Sequence, residues 1–308
     1  MEYFMKTEDG KEVYIYCWDE VENPKGILQI FHGMAEHGKR YTDFARFLNR
    51  NGYIVYADDH RGHGKTAGTI EEIGYIGFNG FDNIVLDEHE LTESIKSKYP
   101  ELPIIILGHS FGSFIAQDYI TRYSDKISGV ILSGSSMKNE AEVVAGKALA
   151  TIQRRIYGER RTAVLLNFLS FGAYNKKIEK PKSKFAWLSR DEEQVKRYEE
   201  DALCGTIFTV GFFYYFLKAL TEIYKPHKLL RIPKALPVKI VSGAADPVGE
   251  YGVGVERLYQ MYKELGIKDL NMKLYPGARH EIINEINKDE VFEDLLKWLD
   301  AHNKKEEG

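Results

Sequence analysis

The chain has 308 residues, 44% of them hydrophobic, enough for one large α/β domain carrying an insertion or for two domains. Lys and Arg number 42 against 46 Asp and Glu, a net charge of -4 at pH 7, and no basic arm stands at either end, so nucleic acid is not indicated as a partner. Only Cys17 and Cys204 occur, far apart, which gives no disulfide framework and no cysteine-based zinc site.

The first ten residues, Met1 to Gly10, have neither a basic start nor a long apolar core, so they do not read as a signal peptide, and a cytoplasmic location is the expectation. Val13 to Trp18 and Ile27 to Phe31 read as strands, followed by a helix over Tyr41 to Asn49 that Gly52 terminates. Tyr53 to Ala57 is the next strand. Phe81 to Tyr99 carries Ile84, Leu91 and Ile95 on one helical face. Ile104 to Leu107 and Gly129 to Leu132 are short, continuously apolar strands of the kind buried on both faces of a parallel sheet. From Met137 to Leu230 the pattern is helical without a convincing strand. Strand rhythm returns at Val238 to Val241 and Met272 to Tyr275, with helices at Val255 to Leu265 and Val291 to Leu299. The expected fold is therefore a mostly parallel central sheet flanked by helices. Residues 1–136 and 231–308 form its core, and 137–230 form an inserted helical cap. The longest mostly apolar run, Ile207 to Leu217, falls short of the ~20 residues of a membrane span.

Between the strand ending at Leu107 and the helical stretch after it lies Gly108-His109-Ser110-Phe111-Gly112. A Gly-x-Ser-x-Gly turn needs small residues on both sides of the serine, because the strand-to-helix turn crowds its neighbours and lifts the hydroxyl clear of the sheet. Ser110 is the expected nucleophile. A serine hydroxyl needs a base, usually an imidazole oriented by a carboxylate. His280, in the loop after the last strand, is the candidate base; its other reading is a surface loop histidine. Asp246 follows a strand and lies between serine and histidine in the chain; its other reading is a turn aspartate before Pro247. Catalytic groups in open α/β sheets gather beyond the carboxyl ends of the strands, where all three are expected. The oxyanion donors are the backbone N–H groups of Phe111 and of Met34, in the loop Phe31-His32-Gly33-Met34. Asp58 and Asp59 come too early in the chain for the triad and are assigned to the glycine-rich loop His60 to Gly64.

His32 to His37 with Arg40-Tyr41, Asp59 to Gly64, Gly108 to Gly112, Gly243 to Asp246 and Gly277 to His280 together resemble the monoacylglycerol lipase and lysophospholipase branch of the α/β-hydrolases. The likeness covers nearly the whole chain outside the cap. It implies an α/β-hydrolase fold and a carboxylester hydrolase with medium-to-long acyl or glyceride substrates, and no cofactor. One departure is Ser113, where such proteins usually carry a second glycine; looser packing of helix on strand is expected there.

Within the insertion, Phe208, Phe212, Phe213 and Tyr215 have two readings, as core under the cap or as the wall of an acyl pocket. Nine basic residues from Arg154 to Lys184 read as a solvated face balanced by the acids from Asp191 to Asp201, with transient contact to a lipid surface left open. No metal is expected at His37, His63 or His109, which have no carboxylate or cysteine companion in ligand spacing. Two further functions stay open. An aminopeptidase of the proline-iminopeptidase type would need acidic groups in the pocket to hold a substrate amine. A catalytically idle ligand-binding protein would need no triad.

Overall fold

The computed structural model describes residues 1–303. Eight strands form one sheet: β1 (Glu2–Lys6), β2 (Glu12–Trp18), β3 (Gly26–Phe31), β4 (Tyr53–Asp59), β5 (Ile104–His109), β6 (Gly129–Ser133), β7 (Val238–Gly243) and β8 (Leu270–Tyr275). Their order is β1-β2-β4-β3-β5-β6-β7-β8, antiparallel at the β1-β2 and β2-β4 pairings and parallel in the rest. This is the α/β-hydrolase fold. β1 had no counterpart in the expected elements. It is an edge strand whose residues alternate between exposed and half-buried, so it lacks the apolar run that marks the central strands.

The apolar strands serve two cores at once because successive side chains leave a strand on opposite faces. From β5, Ile105 and Leu107 join a cluster with Phe44 and Leu48 of α1 (Thr42–Arg50) and with Val291, Leu295 and Leu299 of α10 (Lys288–His302). Ile106 points the other way. It packs with Ile84 of α2 (Gly80–Lys98), Ile115 of α3 (Phe111–Tyr119) and Leu258 of α9 (Val253–Leu265). Burying one such side chain fully contributes about 1.5–3 kcal/mol, which makes this two-sided pattern a strong determinant of where the strands lie.

Between β6 and β7 the chain forms α4 (Glu140–Tyr157), α5 (Val164–Phe171), α6 (Glu192–Glu200), α7 (Val210–Ile223) and the short α8 (Pro226–Leu229). No strand of the sheet falls in this insertion among the described residues; its one β-bridge joins Thr162 to Thr209. Polar side chains start three of its helices: Asn139 accepts from Ala141 N at 2.9 Å, Asp191 from Glu193 N at 3.0 Å, and Thr209 from Phe212 N at 3.3 Å. No described helix is long and apolar enough to cross a membrane.

Parallel registry aligns the strand ends that carry the candidate residues. Phe31 pairs with Gly108, His109 with Ser133, and Ser133 with Val241. The loops holding Met34, Ser110, Asp246 and His280 consequently leave the same edge of the sheet, the edge at which such folds build their sites.

Candidate active site

Ser110 occupies φ 50°, ψ −116°, a conformation that residues with a Cβ avoid unless the surroundings impose it. Its N–H donates to Ser133 O at 2.9 Å, which anchors the turn to β6. The glycines explain how the turn fits. A Cβ on Gly112 would meet Phe31 O at 2.0 Å, and one on Gly108 would meet Gly112 O at 2.5 Å. The helix therefore sits hard against β3, and no loosening appears at Ser113. That residue is fully buried, and its hydroxyl donates to Ser110 O at 2.6 Å and contacts Ser135 Oγ at 2.8 Å.

α3 begins without a side-chain cap, so the Ser110 hydroxyl is not spent on its own helix. The backbone N–H groups of Phe111 and Met34 have no acceptor among the described residues. Gly33 brings the loop after β3 against the turn: a Cβ there would lie 3.2 Å from His109 Cδ2 and 3.4 Å from Ser110 Cβ.

His280 and Asp246 are paired, His280 Nδ1 to Asp246 Oδ2 at 2.9 Å, and both are buried. Asp246 also accepts from Val248 N at 2.8 Å and Ser242 Oγ at 3.1 Å. Burial alone would raise its pKa; the His280 charge and hydrogen bond, the Val248 amide and the Lys138 ammonium outweigh it and hold the carboxyl below its ordinary range. The loop after β8 lies directly on the end of β7, where a Cβ on Gly243 would strike Ala278 O at 2.1 Å. His109, the residue before Ser110, has its ring centroid 4.8 Å from that of His280. Burial, and then the His280 charge, lower its pKa to about 4.

Behind these groups runs an ion chain that the expectations did not include. Glu36 accepts from Gly33 N at 2.6 Å, Tyr41 Oη at 3.0 Å and Arg40 Nη1 at 2.5 Å. Arg40 grips Glu281 through both terminal nitrogens, at 2.6 and 2.7 Å. Burial would raise the Glu281 pKa, but the Arg40 charge and its hydrogen bonds hold it down. The resemblance contained Glu36 and Arg40 as motif letters. Nothing in the spacing linked them to residue 281.

Asp58 and Asp59 organise the following glycine-rich loop. Asp59 accepts from Gly38 N and Lys65 N at 2.9 and 2.7 Å. Asp58 accepts from His60 Nδ1 at 2.9 Å, and His60 Nε2 reaches His32 O at 3.1 Å.

Two groups bring three potential ligand atoms within 4.8 Å of one another: His32, Asp58 and His60, and His37, Asp201 and Cys204. The second corrects the sequence expectation for His37, whose carboxylate and thiol companions arrive from the insertion. His37 Nε2 is paired with Asp201 at 2.9 Å, and burial raises the Cys204 thiol pKa against the opposing Arg40 charge. In the first group, His32 Nε2 already accepts from His60 N at 3.0 Å. Neither arrangement presents three free donors.

Ser110, His280, Met34 and Glu281 line a cavity of about 460 Å³ between the sheet edge and the insertion. Its apolar wall comes from Val164, Phe168 and Phe171 of α5 and from Trp187, Leu188 and Ile207. Phe208, Phe212, Phe213 and Tyr215, read as either cap core or pocket wall, do not line it, and the pocket-wall reading is corrected. They are buried under the insertion, Phe208 and Phe212 against His63 at ring distances of 4.6 and 6.3 Å and Phe212 against Phe111 at 5.0 Å. An aromatic run on a helix next to a core is drawn into that core first.

Residues 22–287 match the family model described as "Serine aminopeptidase, S33". The chain is 27% identical over 298 residues to a monoacylglycerol lipase of Mycolicibacterium smegmatis, covering 95% of this chain and 94% of that protein. It is 28% identical over 295 residues to the human monoglyceride lipase, covering 94% and 88%. Among solved structures it is similar to a highly thermostable carboxyl esterase from Bacillus coagulans in complex with glycerol, at 31% identity, a TM-score of 0.88 and 99% of each chain. A soluble variant of the Saccharomyces cerevisiae monoglyceride lipase shares the fold, with a TM-score of 0.77 at 22% identity over 99% of this chain and 96% of that one.

Proposed function

The chain belongs to the serine aminopeptidase, S33, family of α/β-hydrolases, and from that premise we propose that it hydrolyses carboxylic esters of acylglycerol type through Ser110, His280 and Asp246. Ser110 Oγ attacks the ester carbonyl as His280 Nε2 takes its proton. Asp246 holds the imidazole through Nδ1 and stabilises its charged form. The Met34 and Phe111 amides receive the charge on the tetrahedral oxygen. The intermediate collapses to an acyl-Ser110 ester, and the departing alcohol leaves with the His280 proton. Water, deprotonated by His280, then attacks the acyl group; the acid is released and Ser110 regains its hydrogen. The observation that carries this reading is the buried His280–Asp246 pair at 2.9 Å, whose imidazole lines the same cavity as Ser110.

Residues 137–230 act as a cap in this reading, with the α5 side of the cavity taking the acyl chain. Val164, Leu165, Phe168 and Leu169 are 48 to 67% exposed on that helix, and transient contact with a lipid surface there would shorten the path of an insoluble substrate. Both cysteines are free, and we place the protein in the cytoplasm, where thiols stay reduced.

The cavity also weighs against an aminopeptidase. The carboxylates in its wall are Glu36 and Glu281, and both are bound to Arg40, so neither is available to a substrate ammonium. The acids of α6 do not line it.

Ser110→Ala tests the reading. Turnover of p-nitrophenyl butyrate and of a monoacylglycerol should fall by at least about 10⁴-fold with the circular dichroism spectrum unchanged, and a fluorophosphonate should label the parent but not the variant. Undiminished turnover would refute it, and preference for aminoacyl anilides over glycerides would transfer the machinery to amide substrates.

A further inference from the structure

Ala35 follows Met34 directly and holds φ 57°, the left-handed region that residues with a Cβ occupy only under external constraint. Its carbonyl takes two hydrogen bonds, both from the insertion: the Tyr198 hydroxyl at 2.8 Å and the Gly205 N–H at 2.9 Å. Tyr198 lies on α6 and is 5% exposed. Its ring stands 4.8 Å from the Arg40 guanidinium carbon. Arg40 is the middle member of the chain from Glu36, which holds Gly33 N, to Glu281, the neighbour of His280. One tyrosine of the insertion therefore meets the loop after β3 twice, once at a strained carbonyl and once through the arginine that ties this loop to the loop after β8.

We propose that Tyr198 and Arg40 are positioning residues that fix the Met34 amide and His280 relative to Ser110, so that the insertion completes the oxyanion site as well as roofing it. This rests on the roles given above to Ser110, His280 and Met34. An amide aimed at the tetrahedral oxygen accelerates the reaction because its orientation is settled before charge develops. Without the Tyr198 hydroxyl, the Ala35 carbonyl keeps only the Gly205 N–H, the strained Met34–Ala35 segment is held less firmly, and the amide must then be reoriented in the course of turnover. The substrate carbonyl, which carries little charge, feels the change far less than the transition state does. Arg40 acts on both loops. A lysine in its place keeps one charge but not the planar fork that bridges the buried carboxylates of Glu36 and Glu281, so the two loops lose their common anchor.

A merely structural role for Tyr198, gluing the insertion to the core, predicts something different: a lower melting temperature with unaltered turnover by the folded protein. The deciding variant is Tyr198→Phe, which keeps the ring over Arg40 and removes only the hydroxyl. Full-length parent, Tyr198→Phe and Arg40→Lys are compared for kcat and KM on p-nitrophenyl butyrate and for inhibition by an alkyl boronic acid, whose tetrahedral serine adduct mimics the oxyanion. Tyr198→Phe should lower kcat about ten-fold and weaken the boronate by a similar factor, with KM within about two-fold. Arg40→Lys should show the same pattern more strongly; should it fail to fold, Tyr198→Phe decides alone. Unchanged kcat and boronate affinity in folded Tyr198→Phe, or a loss confined to KM, would overturn the proposal. Ser110→Ala measured alongside separates the two readings, since turnover persisting there removes the nucleophile itself, whatever Tyr198 does.

Discussion

A methyl group on Gly33 would stand 3.4 Å from Ser110 Cβ, so the loop after β3 and the turn after β5 are in direct contact. The same methyl would lie 2.7 Å from Glu36 Oε1, an atom already held by the Gly33 amide and the Tyr41 hydroxyl. That carboxylate has nowhere to retreat without giving up its partners. Gly33→Ala should therefore displace the Met34 amide and cost at least about 10² in kcat. Steady-state kinetics on a soluble ester checks it, and parental kcat would show that the loop tolerates the methyl.

Gly112→Ala should be worse for the fold than for the chemistry. Its Cβ would meet two backbone oxygens, Phe31 O at 2.0 Å and His32 O at 2.5 Å, and backbone cannot swing aside as a side chain does. A loss above about 3 kcal/mol is expected. Ser113→Gly, one residue on, removes a hydroxymethyl group whose hydroxyl has two partners and adds helical flexibility, for about 1–2 kcal/mol. Urea denaturation of both variants measures the contrast.

Asp246→Asn preserves shape but replaces an acceptor for His280 Nδ1–H with an amide that can present its own donor. The imidazole then takes the wrong tautomer, and kcat should fall by about 10⁴ with little change in KM. A loss below about ten-fold would move the orienting role elsewhere.

Acid stability should depend on Glu281. Its pKa drops from 4.5 to about 2: burial pushes upward, and Arg40 overcomes it. Because the folded value is the lower one, the stabilisation is fully present above about pH 4.5 and is lost as pH falls from there through about 2. Denaturant unfolding measured from pH 7 down to 2 should show a steep decline in that window for the parent. Glu281→Gln should be less stable at neutral pH and decline less steeply. Parallel curves would rule out Glu281 as the group responsible.

Phe168 and Phe208 separate cavity wall from core. Phe168 lines the cavity while 67% exposed; Phe208 is fully buried, its ring tilted against that of His63. Phe168→Ala should change the order of preference among p-nitrophenyl esters from butyrate to laurate at little cost in stability. Phe208→Ala should cost about 3–5 kcal/mol and leave the order as it was.

The central strands were legible because burial on both faces leaves no room for polar residues, as in Ile104 to Leu107. The four site loops were legible because parallel strands put every strand-end loop on one edge. Sequence patterning did not reach β1, half-exposed and paired on one side only, or the α5 wall, since an apolar run such as Val164 to Phe171 does not announce which side faces a cavity. The Glu36–Arg40–Glu281 chain was invisible for another reason: residues 40 and 281 meet only through the pairing of strands far apart in the chain. The same holds for Asp201 beside His37.

The loop bearing His280 is sewn to the insertion by its own backbone. His280 N–H donates to Trp187 O at 3.4 Å, Glu281 N–H to Leu188 O at 2.7 Å, and Arg279 Nη1 to Ala186 O and Ser189 O at 2.7 and 2.9 Å. These bonds read no side chain on the insertion's part, only the path of its main chain. The insertion is thus not an interchangeable module. A segment transplanted from a relative with another substrate would have to bring the same course from Ala186 to Ser189, or its new specificity would arrive together with a displaced histidine. Helices α4 and α5 make none of these bonds, so their sequence can change without pulling on the His280 loop through them.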